Sequence, residues 1–428
     1  MGKASNFYTF FWVLYFPLCV AFTSGDGLLS SLDEALTFVI IGYTFATKSR
    51  KWQNKFPWKE YTVFLGVLAF YIVYSLLFGE NVYGAIFLEF LQQIRPYSLI
   101  YCTWILNPVF TQKQKKILVW TVVLCSLLRD VTSIGYVGTQ DMLATGQMAI
   151  CAGMVWALFK EDTTKNKYIA IGLVLMGLVA PKDKFLAELI CFIGIFYFMS
   201  KKLKIGSFKM LFLFTIAGGI VLYMIWEKFD AYFISGMEDG AGIARAESLK
   251  TAFGKILWDY IPFGPGMGTF ASNGAWKYYS PLYEKYGLTK VWGLQGGFIC
   301  DIFYPSLCQY GLVGLYLFGW FWKRRLTQFN NIQELKYYKV ALMAFLCLAL
   351  EQMADSSWLS GKGMGYCMLI GLCLNANRNL GYTDKGILID YANEEDDNDE
   401  MVNDDAPVKS NSHLRDDYYV YHPNAKKV

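Results

Sequence analysis

Apolar runs, most of about 17 to 25 residues, alternate with short polar connectors along the chain, near 7–24, 28–46, 61–79, 84–106, 117–135, 142–159, 168–181, 184–200, 209–227, 299–322, 337–355 and 362–379. A helix of that length crosses a hydrocarbon core about 30 Å thick. The pattern predicts an all-α, polytopic membrane fold of about 12 transmembrane helices. The 168–181 run is short enough to form a tilted or re-entrant hairpin with its successor, which would change the count by one or two. Basic residues concentrate in particular connectors: Lys48, Arg50, Lys51, Lys55 and Lys59; Lys113, Lys115 and Lys116; Lys201, Lys202, Lys204 and Lys209; Lys323, Arg324 and Arg325. With these spans all four clusters fall on one side, which the positive-inside tendency makes the cytoplasm, with both termini there.

One connector breaks the rhythm. Residues 228–298 are long, Gly-rich and aromatic, and parity places them outside the cytoplasm, where a loop of this size is a natural seat for function. The transmembrane domain is expected to cover 1–380. Beyond it, residues 381–428 carry five Lys or Arg against twelve Asp or Glu, which predicts an acidic, disordered cytoplasmic tail. That tail hides the balance of the rest: the formal net charge of +4 divides into −7 for the tail and +11 for the hydrophobic body.

Composition agrees with a membrane chain, at 55% hydrophobic and 17% charged residues against about 25% charged in soluble domains. The body's cations lie in scattered connectors rather than one stripe, so no nucleic-acid partner is expected. The ten cysteines sit in or beside apolar runs without a CxxC pair, and the two histidines, His413 and His422, lie in the tail. No metal site and no imidazole chemistry are expected in the body. The first run follows the single cation Lys3 and has no small-x-small cleavage site, which favours a retained helix over a signal peptide. There is no repeat of 20 to 50 residues and no inverted pair of interrupted helices, features that a transporter would bring.

Within the long connector, Leu249, Phe253, Ile256, Leu257 and Tyr260 recur at helical spacing and predict an amphipathic helix. At 100° per residue, Arg245, Ser248, Lys255 and Asp259 fall together on the neighbouring face. A solvated helix face accounts for the same spacing. Next comes Ile261-Pro-Phe-Gly-Pro-Gly-Met-Gly-Thr-Phe270, where Gly264, Gly266 and Gly268 permit tight turns and close approach of backbone to an anionic group. No Walker lysine and serine follow, so this is not a nucleotide P-loop. Arg95 and Arg129 lie inside spans and each needs a partner or a wet cavity; Glu89 and Glu188 are candidates for Arg95, and Asp130 adjoins Arg129. Trp276, Tyr278, Tyr279, Tyr283 and Trp292 suit either sugar stacking or an interfacial aromatic belt.

These features together resemble the O-antigen polymerase and O-antigen ligase superfamily of bacterial envelope glycosyltransferases. The resemblance rests on an Arg opening a loop helix, Trp258 downstream, the Gly run ending at Phe270, and Gln309-Tyr-Gly-Leu-Val-Gly-Leu315 in the next span. It extends over most of the chain before the tail. Where ligases of this family commonly carry a His-Asn pair, this chain has Cys300 and Asp301, which turns the expectation toward a polymerase, with a divergent ligase as the alternative. The resemblance implies a bacterial inner-membrane enzyme acting on polyprenyl-diphosphate-linked oligosaccharide repeat units at the outer face, to build O-antigen or capsular polysaccharide. A chain-length regulator is a candidate partner.

Negative charge developing on a diphosphate leaving group calls for cations and amides. Arg245 is the first candidate. Lys182 and Lys184, in Pro181-Lys-Asp-Lys-Phe, stand where the family often has a Ser-Arg pair; they suit the same diphosphate or a snorkelling boundary role equally. Arg95, Lys255, Asp259, Gly264, Gly266 and Gly268 complete the candidate substrate-binding set. Asp301, at the family's pair position, is the first choice of base, ahead of Asp259, Glu247, Asp183 and Asp355. No carboxylate pair has metal-site spacing, so a metal-independent, cofactor-free reaction is expected. A polysaccharide exporter or flippase is the reading from another class.

Overall fold

The computed structural model describes residues 2–22, 32–47, 56–108, 110–135, 142–179, 183–210, 244–291, 293–295, 303–354, 356–359 and 363–377, with isolated positions between 212 and 230 and the pairs 381–382 and 388–389. The architecture is all-α. Its helices are α1 (Gly2–Phe22), α2 (Leu32–Thr47), α3 (Phe56–Phe78), α4 (Tyr83–Leu106), α5 (Gln112–Gly135), α6 (Met142–Phe159), α7 (Thr164–Leu175) and α8 (Asp183–Ile193). After these come α9 (Ala244–Thr251), α10 (Asn273–Lys277), α11 (Pro281–Lys285), α12 (Phe303–Ser306), α13 (Gly311–Asn331), α14 (Leu335–Ala354) and α15 (Met364–Leu374). Among the described residues the one strand pairing is a two-residue ladder at the head of the tail, Gly381 opposite Ile389 and Tyr382 opposite Leu388. The rest of the expected disordered tail, and most of the expected 209–227 span, lie outside the described residues.

Eleven of the predicted apolar segments coincide with helix. Among the described residues one helix, Pro57–Phe78, is by itself long and apolar enough to cross a membrane, with a mean hydropathy of 2.0; Glu34–Thr47, Thr145–Phe159 and Met364–Leu374 are apolar but shorter. The short 168–181 segment forms α7, continued by a 3₁₀ turn over Met176–Val179, and packs on α6. Thr163 starts α7 by accepting a hydrogen bond from the Asn166 amide on its side chain.

The core centres on α4 and α15. Every residue of α15 is buried, and α4 packs against α15, α3 and α2 along its length. Gly371 lets the two backbones close up: a methyl group there would stand 2.7 Å from the Ile100 carbonyl oxygen. Beside this pair, α5, α6 and α7 pack in sequence, and α8 packs on α14. The Phe185 ring of α8 fills the notch left by Gly146 and Gly177.

At one end of the bundle two of the basic connectors are fastened to it. Arg325 is fully buried and ion-paired with Glu60, its guanidinium 5.0 Å from the Trp104 ring centre and 5.2 Å from that of Tyr101, and Arg324 Nε lies 2.7 Å from the second Glu60 oxygen. Lys202 donates to the Asn330 and Ile332 carbonyls, tying the 201–210 connector to the end of α13. Burial pushes the Lys202 ammonium pKa down.

Candidate functional site

The segment 260–272 is seated on the opposite end of the bundle by its glycines. Gly264, Gly266 and Gly268 have φ of +80°, +101° and +72°, a region open to glycine and strained for other residues. On one side the loop meets α3 and the α3–α4 turn. Tyr74 donates to the Gly264 carbonyl at 2.9 Å, the Met267 amide donates to Ser75 Oγ at 2.8 Å, the Glu80 amide donates to the Pro265 carbonyl at 3.0 Å, and the Asn81 side chain donates to Gly268 O. On the other side it meets the segment entering α13. There the Gly266 amide donates to the Gln309 carbonyl at 3.1 Å, Val313 to Pro262 at 3.1 Å, and the Thr269 amide to Gln309 Oε1 at 2.9 Å. A methyl group on Gly268 would stand 2.6 Å from the Ala85 carbonyl oxygen.

This corrects the expectation of an anion cradle at Gly264 and Gly266. The Gly264 amide donates to Tyr260 O at 2.8 Å and that of Gly266 to Gln309 O, so both donors are used within the protein. These glycines dock the loop, because backbone meets backbone where a Cβ would intervene.

Upstream, the amphipathic reading holds for the apolar stripe: Ile256 and Leu257 are buried, and Leu249, Phe253 and Tyr260 pack around the loop's own small core with Phe270, Ala275 and Leu282. It fails for the polar face. A π turn over Ala252–Ile256 interrupts the helix between α9 and Leu257–Asp259, and one extra residue per turn rotates everything after it by about 100°. Arg245 is half-buried and Ser248 fully buried, whereas Lys255 and Asp259 are exposed. Lys255 and Asp259 therefore do not share the environment of Arg245. α9 packs against α12, the first turn of the return into the bundle.

Asp259 belongs instead to a surface clasp. It accepts from the Tyr286 hydroxyl at 2.7 Å; Tyr260 donates to Glu80 at 2.6 Å; and Lys285 donates to the Tyr260 oxygen at 2.5 Å while lying 3.7 Å from Glu80. Burial, reinforced by Glu80, pushes the Tyr260 hydroxyl pKa up, and burial with Asp259 does the same for Tyr286. Of the aromatics, Tyr283 is buried and stacked between Phe270 and Tyr279, a structural role, whereas Trp276 and Tyr278 remain exposed; Trp292 lies outside the described residues.

Below the loop a set of polar side chains is buried in the bundle. Glu89 accepts from Gln93 at 2.8 Å and from the Tyr310 hydroxyl at 3.1 Å, which joins α4 to the segment that grips the glycine loop. Arg95 pairs with Glu34 of α2, a partner the sequence reading did not name, and donates to the Leu359 carbonyl at 3.1 Å. Pro96 follows it and removes one helical hydrogen bond of α4 at that level. Gln147 donates to Ser357 at 3.0 Å, and Arg129, Asp130, Glu188 and Glu351 are buried in α5, α8 and α14. Lys184, in the first turn of α8, is half-buried. Lys182, Asp301, Cys300 and Asp355 lie outside the described residues, as does the Asp183 side chain. Among the described residues no group of three or more His, Cys, Asp or Glu is placed to hold a metal ion.

Sequence reasoning missed the part played by Glu89 and the Glu34–Arg95 pair. The signal for the first was present, since Glu89 and Gln93 stand four apart inside an apolar run and share a helix face. No protein-family model matches the chain, and no curated protein matches it either.

Proposed function

We propose that the protein is a multi-pass membrane glycosyltransferase that polymerises polyprenyl-diphosphate-linked repeat units at the extracytoplasmic face of a bacterial inner membrane. The observation that carries this reading is the docking of the external segment: a glycine loop clamped between α3 and α13 holds the Arg245 helix against α12, above a bundle that buries the Glu89 carboxyl beneath the loop. The membrane setting is supported by α3, which turns Val63, Phe70, Val73, Leu77 and Phe78 outward, a row of apolar side chains unusual on a protein surface in water. A buried intramembrane charge such as Arg95 marks a functional region more often than a packing accident.

In the proposed reaction the anomeric carbon of the donor sugar loses its bond to the diphosphate oxygen, which leaves with the electron pair. A hydroxyl oxygen of the second lipid-linked unit forms the new bond, and its proton passes to a base. Arg245, with Lys182 and Lys184, stabilises the departing diphosphate, and Asp301 is the candidate base.

The test is an in vitro reaction of the purified protein in nanodiscs with a synthetic polyprenyl-diphosphate repeat unit, its products resolved by size. Wild type is expected to give a ladder of lengthened lipid-linked glycans, and folded Arg245→Ala to lose at least about 100-fold in rate, the scale of removing one donor from a developing anion. An intact ladder in Arg245→Ala removes that residue from the mechanism. Wild type that transfers the glycan to a different acceptor without lengthening it is a ligase.

A further inference from the structure

A groove of about 120 Å³ runs along the flank of the bundle between α3, α4 and α13, walled by side chains such as Val63, Val67, Leu68, Leu317 and Phe318. It extends along α3 from Glu60 to Tyr71, which at 1.5 Å per residue is about 16 Å, or half of a hydrocarbon core about 30 Å thick. It is one leaflet deep.

The two ends differ in charge. At the Tyr71 end the groove is shut: the Tyr71 hydroxyl donates to Tyr310 O at 2.7 Å, and the polar ends of Tyr310 and Gln93 turn to the buried Glu89 carboxyl. Beyond it, Tyr74 and Ser75 hold the glycine loop. At the Glu60 end, Trp320 lines the groove, and the Arg324 guanidinium lies over its ring at 4.6 Å. Lys59 and Lys323 are exposed beside that end. An anionic head on a chain lying in this groove is attracted to the Arg324 end, and the other end is closed by the Tyr71–Tyr310 hydrogen bond.

We propose that the groove holds an acyl chain of an anionic glycerophospholipid from the leaflet at the Arg324 end, with the lipid phosphate against Arg324, Lys323 and Lys59. This rests on the membrane setting proposed above and not on glycosyl transfer. The diphosphate-headed donor is a poor occupant, because a head presented from the external face meets the shut end.

The experiment uses the full chain in detergent, with native mass spectrometry and thermal unfolding read against added phosphatidylglycerol, phosphatidylcholine of the same chains, and a polyprenyl phosphate. Wild type is expected to retain phosphatidylglycerol and to be stabilised by it more than by phosphatidylcholine. Val67→Trp, which fills the groove, should lose both effects. Lys323→Gln and Lys59→Gln, which leave the Glu60 pairs intact, should each weaken phosphatidylglycerol about fivefold with no change for phosphatidylcholine. Equal stabilisation by the two phospholipids, undiminished binding to folded Val67→Trp, or displacement of phosphatidylglycerol by the polyprenyl phosphate would each overturn the assignment. None of these readouts requires turnover, so failure of the polymerisation assay leaves them decisive.

Discussion

At Gly264 a side chain meets two obstacles at once, a φ of +80° and the backbone of Gln309 and Gly311 packed against the position its Cβ would take. Gly264→Ala is expected to cost about 2 kcal/mol or more and to release the loop, read as faster protease cleavage within 244–291 while the bundle persists. Gly254, which has open space around it, is the control: Gly254→Ala should leave cleavage unchanged. The Glu34–Arg95 pair gives a second residue-scale test. Glu34→Ala removes an ion-pair partner of a buried guanidinium and should destabilise by about 3 kcal/mol, and the Glu34→Gln/Arg95→Gln double variant should recover part of it, measured by thermal unfolding in one detergent. The positive-φ glycines and Arg245's position at a helix start were legible in the sequence, because backbone permissiveness and helical period are local properties. The Glu34–Arg95 pair was not: Glu34 lies 61 residues away, and finding it requires knowing that α2 packs on α4.

At the scale of elements, periodicity found the helices and failed where a helix changes its pitch. The π turn at Ala252–Ile256 has no signature in the hydrophobic pattern, since Ile256 and Leu257 are both apolar and cover the rotation. The polar residues after it were consequently assigned to the wrong face. Lys255→Ala should therefore leave polymerisation within about twofold of wild type, in contrast to Arg245→Ala, because an exposed cation on another face has little to offer the leaving group. The clasp of Asp259, Tyr260, Lys285, Tyr286 and Glu80 makes loop docking sensitive to alkali. Tyr260 and Tyr286 have folded-state pKa values raised above the usual 10.0. Their contribution is fully present below pH 10 and is lost as the pH rises toward the folded values, because the undocked loop then releases protons that the docked loop keeps. Loop protection from protease should fall above pH 10, and the Tyr260→Phe/Tyr286→Phe double variant should flatten that fall.

At the scale of the whole molecule, the two ends of the bundle do different work. One end carries the basic connectors, with Glu60 clamping Arg324 and Arg325 and Lys202 capping α13. The other carries the glycine loop, the Arg245 helix, the half-buried Glu34 of α2 and buried acids and amides of α4 and α6 such as Glu89, Gln93 and Gln147. Charge counting in the sequence anticipated this polarity because connectors can be counted without knowing the packing. It did not anticipate that Arg325 is consumed in an internal pair, which is a matter of packing alone. The proposed chemistry requires the end with the loop to face away from the cytoplasm. The direct measurement is labelling of intact cells with a membrane-impermeant maleimide, after cysteine replaces either Lys277, in the docked segment, or Lys323, beside the basic end; the eight described native thiols are buried or half-buried, and the unsubstituted protein sets their background. The expected result is labelling of Lys277→Cys in intact cells and of Lys323→Cys only after permeabilisation. The reverse pattern, or labelling of both in intact cells, would contradict the external placement of the Arg245 segment and with it the proposed reaction at the outer face.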